Sequence, residues 1–499
     1  MDAIEKSDLI TTPFYDGTVT TDCADEYTLP DYFPEIRRIL SVSARALPES
    51  KFVSDGKIEF GGTVVFTVMY VGDSGELAGL PYAFAYSSAA ACADPSRPLA
   101  CVTVDTRVET PQCRVLAPRR ISLRARLRSH VMADGQRSVG VPITAGSDKL
   151  TPADVISVEK KKEPAFSASR HAVSMTGTVT GIMHESEPMK LISCDGSASV
   201  TAVTAKDGAI AASGCAGVSA VCLTGSGKYA LCHAEVPFEE LIPCEGIAAG
   251  MQVRASACCA SSGVTIPDGD PTSLRFEVEY DISAEGIGRD ECEIVTDVYS
   301  TEYEVSAAGT EYDALSPFYC GNTSLSVDGA QDDVGDGYVI SRMGDAYCEK
   351  VEIDGDRGII SGAAAVRVII GGDEMRSVDV TMPFKAEVRG TSDAAGCSAI
   401  GRYEVTVTDV TARLDGGRLT VTAEIGISCT ILASKRIRAI IGCEVEKGKK
   451  IPHDDGVIRM YYPAEGDTVW SVAKAYHVPL AEFERVNGDA ISGRPVVVG

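Results

Sequence analysis

The sequence predicts a mainly β protein: three related β-rich domains in series, then a small strand-helix-helix-strand module. Two observations predict it. Glycine-led apolar strands recur at Gly62, Gly214 and Gly362, about 150 residues apart, and the last 40 residues carry helical spacing between a short aromatic run and a short β-branched one. With 499 residues, the chain exceeds what one hydrophobic core usually serves, so about three or four domains of roughly 100 to 150 residues are expected.

The repeat is legible residue by residue. Gly62 opens GTVVFTVMY, Gly214 opens GCAGVSAVC and Gly362 opens GAAAVRVII. Four residues on stand Phe66, Val218 and Val366, and two further on Val68, Ala220 and Val368. A glycine-rich turn follows each copy: VGDSGE from Val71, LTGSGK from Leu223 and GGDE from Gly371. Each reads as a hairpin. Beyond it comes a proline-aromatic pair, Pro81-Tyr82, Pro237-Phe238 or Pro383-Phe384, and then, 36 to 40 residues after the proline, a strand of strict alternation. Its apolar face is Ile121, Leu123, Ala125 and Leu127 in the first copy, Leu274, Phe276, Val278 and Tyr280 in the second, and Leu419, Val421, Ala423 and Ile425 in the third. Period two with one polar face is the pattern of a half-buried strand.

Composition shifts suggest boundaries. The first domain with an N-terminal arm is expected over 1–160, the second over 161–305, the third over 306–448, a linker over 449–459 and the terminal module over 460–499. The polar stretch Met132 to Glu163, ending in EKKKE, and the acidic stretch Thr301 to Gly337 read as junctions, and EKGKKIPHDDG from Glu446 as the linker. In LPDYFPEIRRIL, Pro34 at a helix start with Ile36, Ile39 and Leu40 on one face predicts a short helix docked on the first domain.

Charge and cysteine usage narrow the function classes. Acidic residues outnumber basic ones 71 to 46, a net charge of -25 that repels nucleic acid and anionic lipid. The opening MDAIEKSDLI lacks a basic leader before an apolar run, and no apolar stretch reaches the roughly 18 residues of a spanning helix, so a cytosolic protein without membrane insertion is expected. The 17 cysteines include no C-x-x-C pair and read as buried free thiols of a reducing compartment. Scattered histidines and the absence of a nucleophile-base pattern give no catalytic or metal residue and no cofactor. Gly225-Ser226-Gly227-Lys228 imitates a phosphate loop, but Cys222 stands where its first glycine belongs and Tyr229 replaces the magnesium-binding hydroxyl, so a hairpin is favoured. A basic strand face, Arg124, Arg126 and Arg128 with Arg119 and Arg120 before it, stands out in the acidic chain as a charged sheet surface or a contact.

The terminal segment carries the most specific signal. Asp467 or Thr468 can cap a first helix whose Val469, Val472, Ala473 and Tyr476 share a face; Pro479 starts a second, with Phe483 and Val486 expected inward and Asn487-Gly488 as its stop. Val496 to Val498 closes a two-stranded sheet. Trp470, the sole tryptophan, reads either as a ligand platform or as a partly buried structural residue.

With Gly466-Asp467-Thr468, Trp470, Val472-Ala473, Tyr476, Val478, Asn487 and Gly493 at their spacing, this segment resembles a LysM domain, departing at Ala464 where that family usually has valine. The resemblance implies a sugar or protein ligand in a groove between two loops, here lined by Gly466, Asp467, Thr468, Trp470, Asn487, Gly488, Asp489 and Ile491. Together with LPDYFPEIRRIL, the repeated glycine strand, the proline-aromatic pairs and TDVYSTEYEV from Thr296, the whole chain resembles the SipL-type spore envelope morphogenetic proteins, whose upstream part consists of SPOCS-type β domains. That resemblance implies a non-enzymatic mother-cell scaffold at the forespore surface, partnered by the ATPase that polymerises into the coat's basement layer. The alternative reading is a cell-wall protein binding N-acetylglucosamine chains of peptidoglycan.

Overall fold

Long alternation of apolar and polar residues buries one face most economically in extended backbone, and strands dominate the computed structural model. It describes residues 9–54, 56–91, 101–139, 158–391, 394–452, 458–489, 491 and 494–498. Eighteen long strands fall into three sets of six. The first set is β1 (Leu9–Thr28), β2 (Ile36–Ser54), β3 (Lys57–Gly72), β4 (Leu77–Ala91), β5 (Cys101–Ala117) and β6 (Arg120–Ser138). The second is β7 (Val158–His184), β8 (Met189–Lys206), β9 (Ala209–Thr224), β10 (Tyr229–Pro243), β11 (Gln252–Thr265) and β12 (Ser273–Ser300). The third is β13 (Tyr303–Gln331), β14 (Tyr338–Asp354), β15 (Arg357–Gly371), β16 (Arg376–Arg389), β17 (Ser398–Asp415) and β18 (Arg418–Lys450).

Each set repeats one topology. Its second, third and fourth strands form an antiparallel meander, while the first, sixth and fifth form another sheet in that order. The glycine-led strands β3, β9 and β15 are central in the meanders, and the alternating strands β6, β12 and β18 are central in the partner sheets. Their apolar faces meet: Phe66 and Val68 share a buried cluster with Leu123 and Leu127, and Val366 and Val368 share one with Val421 and Ile425. At roughly 25 cal/mol per Å² of apolar surface, such faces dominate the stabilisation of each unit.

The three glycine-rich turns are hairpins. In the second, Thr224 N–H donates to the Lys228 carbonyl and Gly227 takes φ 78°, while the Ser226 amide donates to the Glu187 carboxylate at 3.0 Å. A protein carboxylate therefore sits where a phosphate reading would put the ligand. One landmark is corrected. Phe238 lies opposite Gly214 and Phe384 opposite Gly362, but Gly62 faces Tyr86 rather than Tyr82. A Cβ at Gly214 or Gly362 would come within 2.7 Å of the opposing ring, so each of these glycines makes room for the aromatic laid across it. Tyr82 instead pairs with Phe66 and donates its hydroxyl to Asp25 at 2.6 Å.

Long-range pairing overrides the local pattern elsewhere. The expected helix in Leu29 to Leu40 is absent: Ile36 begins β2, whose N–H donates to the Pro118 carbonyl, and its register slips at Leu40. Where they are described, the polar junctions are largely strand. EKKKE lies in β7, where pairing with β12 satisfies its backbone and Lys162 reaches Glu293 at 2.9 Å, and β13 pairs with β18 along the supposedly irregular acidic stretch. Glu446 to Lys450 likewise belongs to β18. Residues 140–157 of the first junction and 453–457 of the linker lie outside the described residues.

Consecutive in sequence, the three units close on one another in space. Repeat-equivalent residues Met69, Val221 and Ile369 converge in one apolar cluster. The slipped residues Leu40, Ile192 and Ile340, one at the same bulge of each meander, pack there too. A second cluster joins Ile10, Ala165, Cys292, Tyr312 and Ala439 from all three. A buried ion network also spans them: Glu285 binds Arg170, Arg254 at 2.8 Å and Arg402 at 3.2 Å, and Arg402 also binds Asp134. Burial pushes the Glu285 carboxyl up, but the three guanidiniums outweigh it and hold the group well below the usual carboxylate range. The basic face of β6 is matched by its neighbours, Arg126 to Asp22 at 2.9 Å and Arg128 to Glu109 at 3.3 Å, with Arg120 paired to Glu26. The sixteen described cysteines are free thiols, nine of them buried.

Candidate binding module and its docking site

After the third unit come β19 (Met460–Tyr461), α1 (Val469–Ala475), α2 (Leu480–Asn487) and β20 (Val496–Val497), with β19 and β20 antiparallel. Thr468 caps α1 in a reciprocal box: its hydroxyl accepts from Ser471 N–H at 3.1 Å, and the Ser471 hydroxyl accepts from Thr468 N–H at 2.9 Å. The core is Val472, Ala473, Phe483, Ile491, Val496 and Val498. Val486, expected inward, is half exposed because α2 turns only its Phe483 side to that core.

The eight expected groove residues divide sharply. The Asp467 carboxylate accepts from Tyr461 Oη and Ala464 N–H, both at 2.8 Å, so it braces its own loop. Asn487 is buried as a clamp, donating to the Val497 carbonyl at 2.8 Å and accepting from Val497 N–H at 2.7 Å. Ile491 is core and Thr468 is committed to its cap. Gly466 and Gly488 hold φ 95° and 72°, turns that disfavour any side chain. Asp489 remains exposed. Sequence reading missed the module's exposed apolar residues Ile458, Met460 and Tyr462. Their i, i+2, i+4 spacing was the available signal.

Trp470 is no free platform: it is only 9% exposed, and its indole N–H donates to Asp297 Oδ2 at 2.8 Å, on β12 of the second unit. Lys474 reaches both Asp297 oxygens at 2.7 and 2.8 Å. Beside them Tyr299 meets the indole edge-on with ring centres 5.0 Å apart and donates its hydroxyl to the Val478 carbonyl at 2.8 Å. His477 donates from Nδ1 to the Ser300 carbonyl at 3.0 Å. The module is thus docked on the end of β12 by five side chains, Trp470, Lys474 and His477 of the module and Asp297 and Tyr299 of the strand. Asp297 and Tyr299 lie in TDVYSTEYEV, which sequence reading marked without assigning them a contact.

Burial raises the Asp297 carboxyl, but the hydrogen bonds from Lys474 and Trp470 outweigh it and leave the group below its ordinary value. A depressed folded-state value means that this contribution to docking is complete above the free carboxyl's value of about 3.9 and disappears as pH falls through the lower, docked value. Trp470 emission is therefore expected to hold steady from pH 7 to 5 and to shift toward that of an exposed indole below about pH 4. In Asp297→Asn that acid step should vanish; a step of unchanged size would show that another group governs it. Compared with known proteins, the chain matches no family model, no curated protein and no solved structure.

Proposed function

We propose that the chain is a non-enzymatic scaffold of the spore coat that uses its terminal LysM-type module to engage a protein partner at the forespore surface, the basement-layer ATPase of the family it resembles. The observation that carries this reading is the docked module. Three closed β units present it through Asp297 and Tyr299 in one orientation, which suits assembly of a layered structure better than a loosely tethered module would. The eight groove positions are mostly spent on the module's own fold, while Ile458, Met460, Tyr462 and Val486 offer apolar side chains to a partner.

Removal of residues 456–499 is expected to release a fluorescent fusion from the forespore surface in sporulating cells while the remaining chain stays folded by circular dichroism. Titration of the full chain with N-acetylglucosamine oligomers is expected to show no tight binding. Normal localisation of the truncated chain together with tight oligomer binding would replace this reading with the peptidoglycan one.

A further inference from the structure

Where the docked module meets the second and third units, a cleft of about 500 Å³ opens among β7, β12, β13, β18 and α1. That volume lies within the range of small-ligand sites. Three cationic side chains line it, Lys161, Lys474 and Arg438, against two carboxylates, Glu163 and Asp297. Both carboxylates are already engaged, Glu163 by Lys161 at 2.7 Å and Asp297 by Lys474 at 2.7 Å. Arg438 has no ion-pair partner among the described residues, and its cross-strand neighbour Glu311 reaches Arg436 instead, at 3.9 Å.

Its guanidinium is also given room. Gly309 stands at a register slip of β13, and a Cβ there would fall 2.7 Å from Arg438 Nε. The missing side chain lets the arginine lie across the strand beside the cleft. In a chain of net charge -25, an unpaired guanidinium and two engaged lysines make this cleft a local exception to the acidic surface. A planar guanidinium favours a carboxylate held by two parallel N–H donors. Trp470 and Ile440 add apolar walls on which the aliphatic part of a side chain can rest.

We propose that this cleft binds a carboxylate-bearing peptide segment, received by Arg438 at the junction of the two units and the docked module. Its occupant touches the module and both units at once, so binding strengthens docking. This proposal does not depend on the spore-coat reading, because its probe and readout involve only the purified chain.

The sole tryptophan lines the cleft and reports directly. Titrating the full chain with tetraglutamate is expected to change Trp470 emission saturably, with affinity falling as salt rises. Arg438→Gln should weaken binding about tenfold or more at an unchanged melting temperature. Gly309→Ala, which displaces the guanidinium, should also weaken it, whereas Lys190→Gln on the exposed face of β8 should not. Absence of a saturable change, affinity untouched by Arg438→Gln, or equal affinity for tetralysine or inorganic phosphate would overturn the proposal.

Discussion

Glu285→Ala is expected to destabilise the protein by about 3 to 5 kcal/mol, because it strands Arg170, Arg254 and Arg402 in the interior with Asp134 as their one remaining buried carboxylate among the described residues. The effect should reach all three units. Arg170 and Arg254 come from the second unit, Arg402 from the third and Asp134 from the first, so the network links faces that would otherwise separate. The repeat itself shows how particular this residue is: in the registers of β6 and β18 the equivalent positions are Met132 and Thr430, neither of them charged. Urea unfolding at neutral pH reads the loss. Because the carboxyl's folded-state value is depressed, its contribution is complete at pH 7 and fades only in strong acid, so the difference from the unsubstituted protein should narrow there. Replacing Arg254 as well should cost less than the sum of the single changes, since each leaves the other unpaired. A loss under about 1 kcal/mol for Glu285→Ala would mean that the arginines find other compensation.

Tyr299→Ala should weaken docking of the terminal module by about 3 kcal/mol, the usual range for removing a buried aromatic. The ring is 3% exposed, packs edge-on against Trp470 and shares a cluster with the module's core. Its loss leaves the module held by a partly exposed ion pair and one indole hydrogen bond to Asp297 and by the His477 bond to the Ser300 carbonyl, which contribute little by comparison. Trp470 emission should move toward that of an exposed indole, and melting should separate into a module step and a scaffold step. Tyr299→Phe keeps the ring and removes only the bond to the Val478 carbonyl, so about 1 kcal/mol is expected. Unchanged emission in Tyr299→Ala would show that the dock rests on the polar contacts of Asp297 and His477 instead.

These two sites mark the boundary between what the sequence determined and what it left open. Period-two alternation by itself identified the central strands: the quartets beginning at Ile121, Leu274 and Leu419 are all buried, because a pleated strand sends alternate side chains to one face whatever it pairs with. The recurrence of Gly62, Gly214 and Gly362 marked equivalent strands for a similar local reason: each faces an aromatic across the meander, and at Gly214 and Gly362 the ring leaves no room for a side chain. In the terminal module, a cap at Asp467 or Thr468 and a helix stop at Gly488 followed from backbone geometry over three or four residues, and the structure gives the cap to Thr468. The tertiary structure decided the rest. Helical spacing around Ile36 lost to pairing with β3, and the polar run at EKKKE became strand because β12 supplied its backbone hydrogen bonds and, at Glu293, a partner for Lys162. Whether Trp470 served a ligand or the fold depended on Asp297, 173 residues away in the chain. The gathering of Asp134, Arg170, Arg254, Glu285 and Arg402 depended on three units closing on one another. Local periodicity carries information about which face of a strand is buried, but none about which distant charge that face will meet.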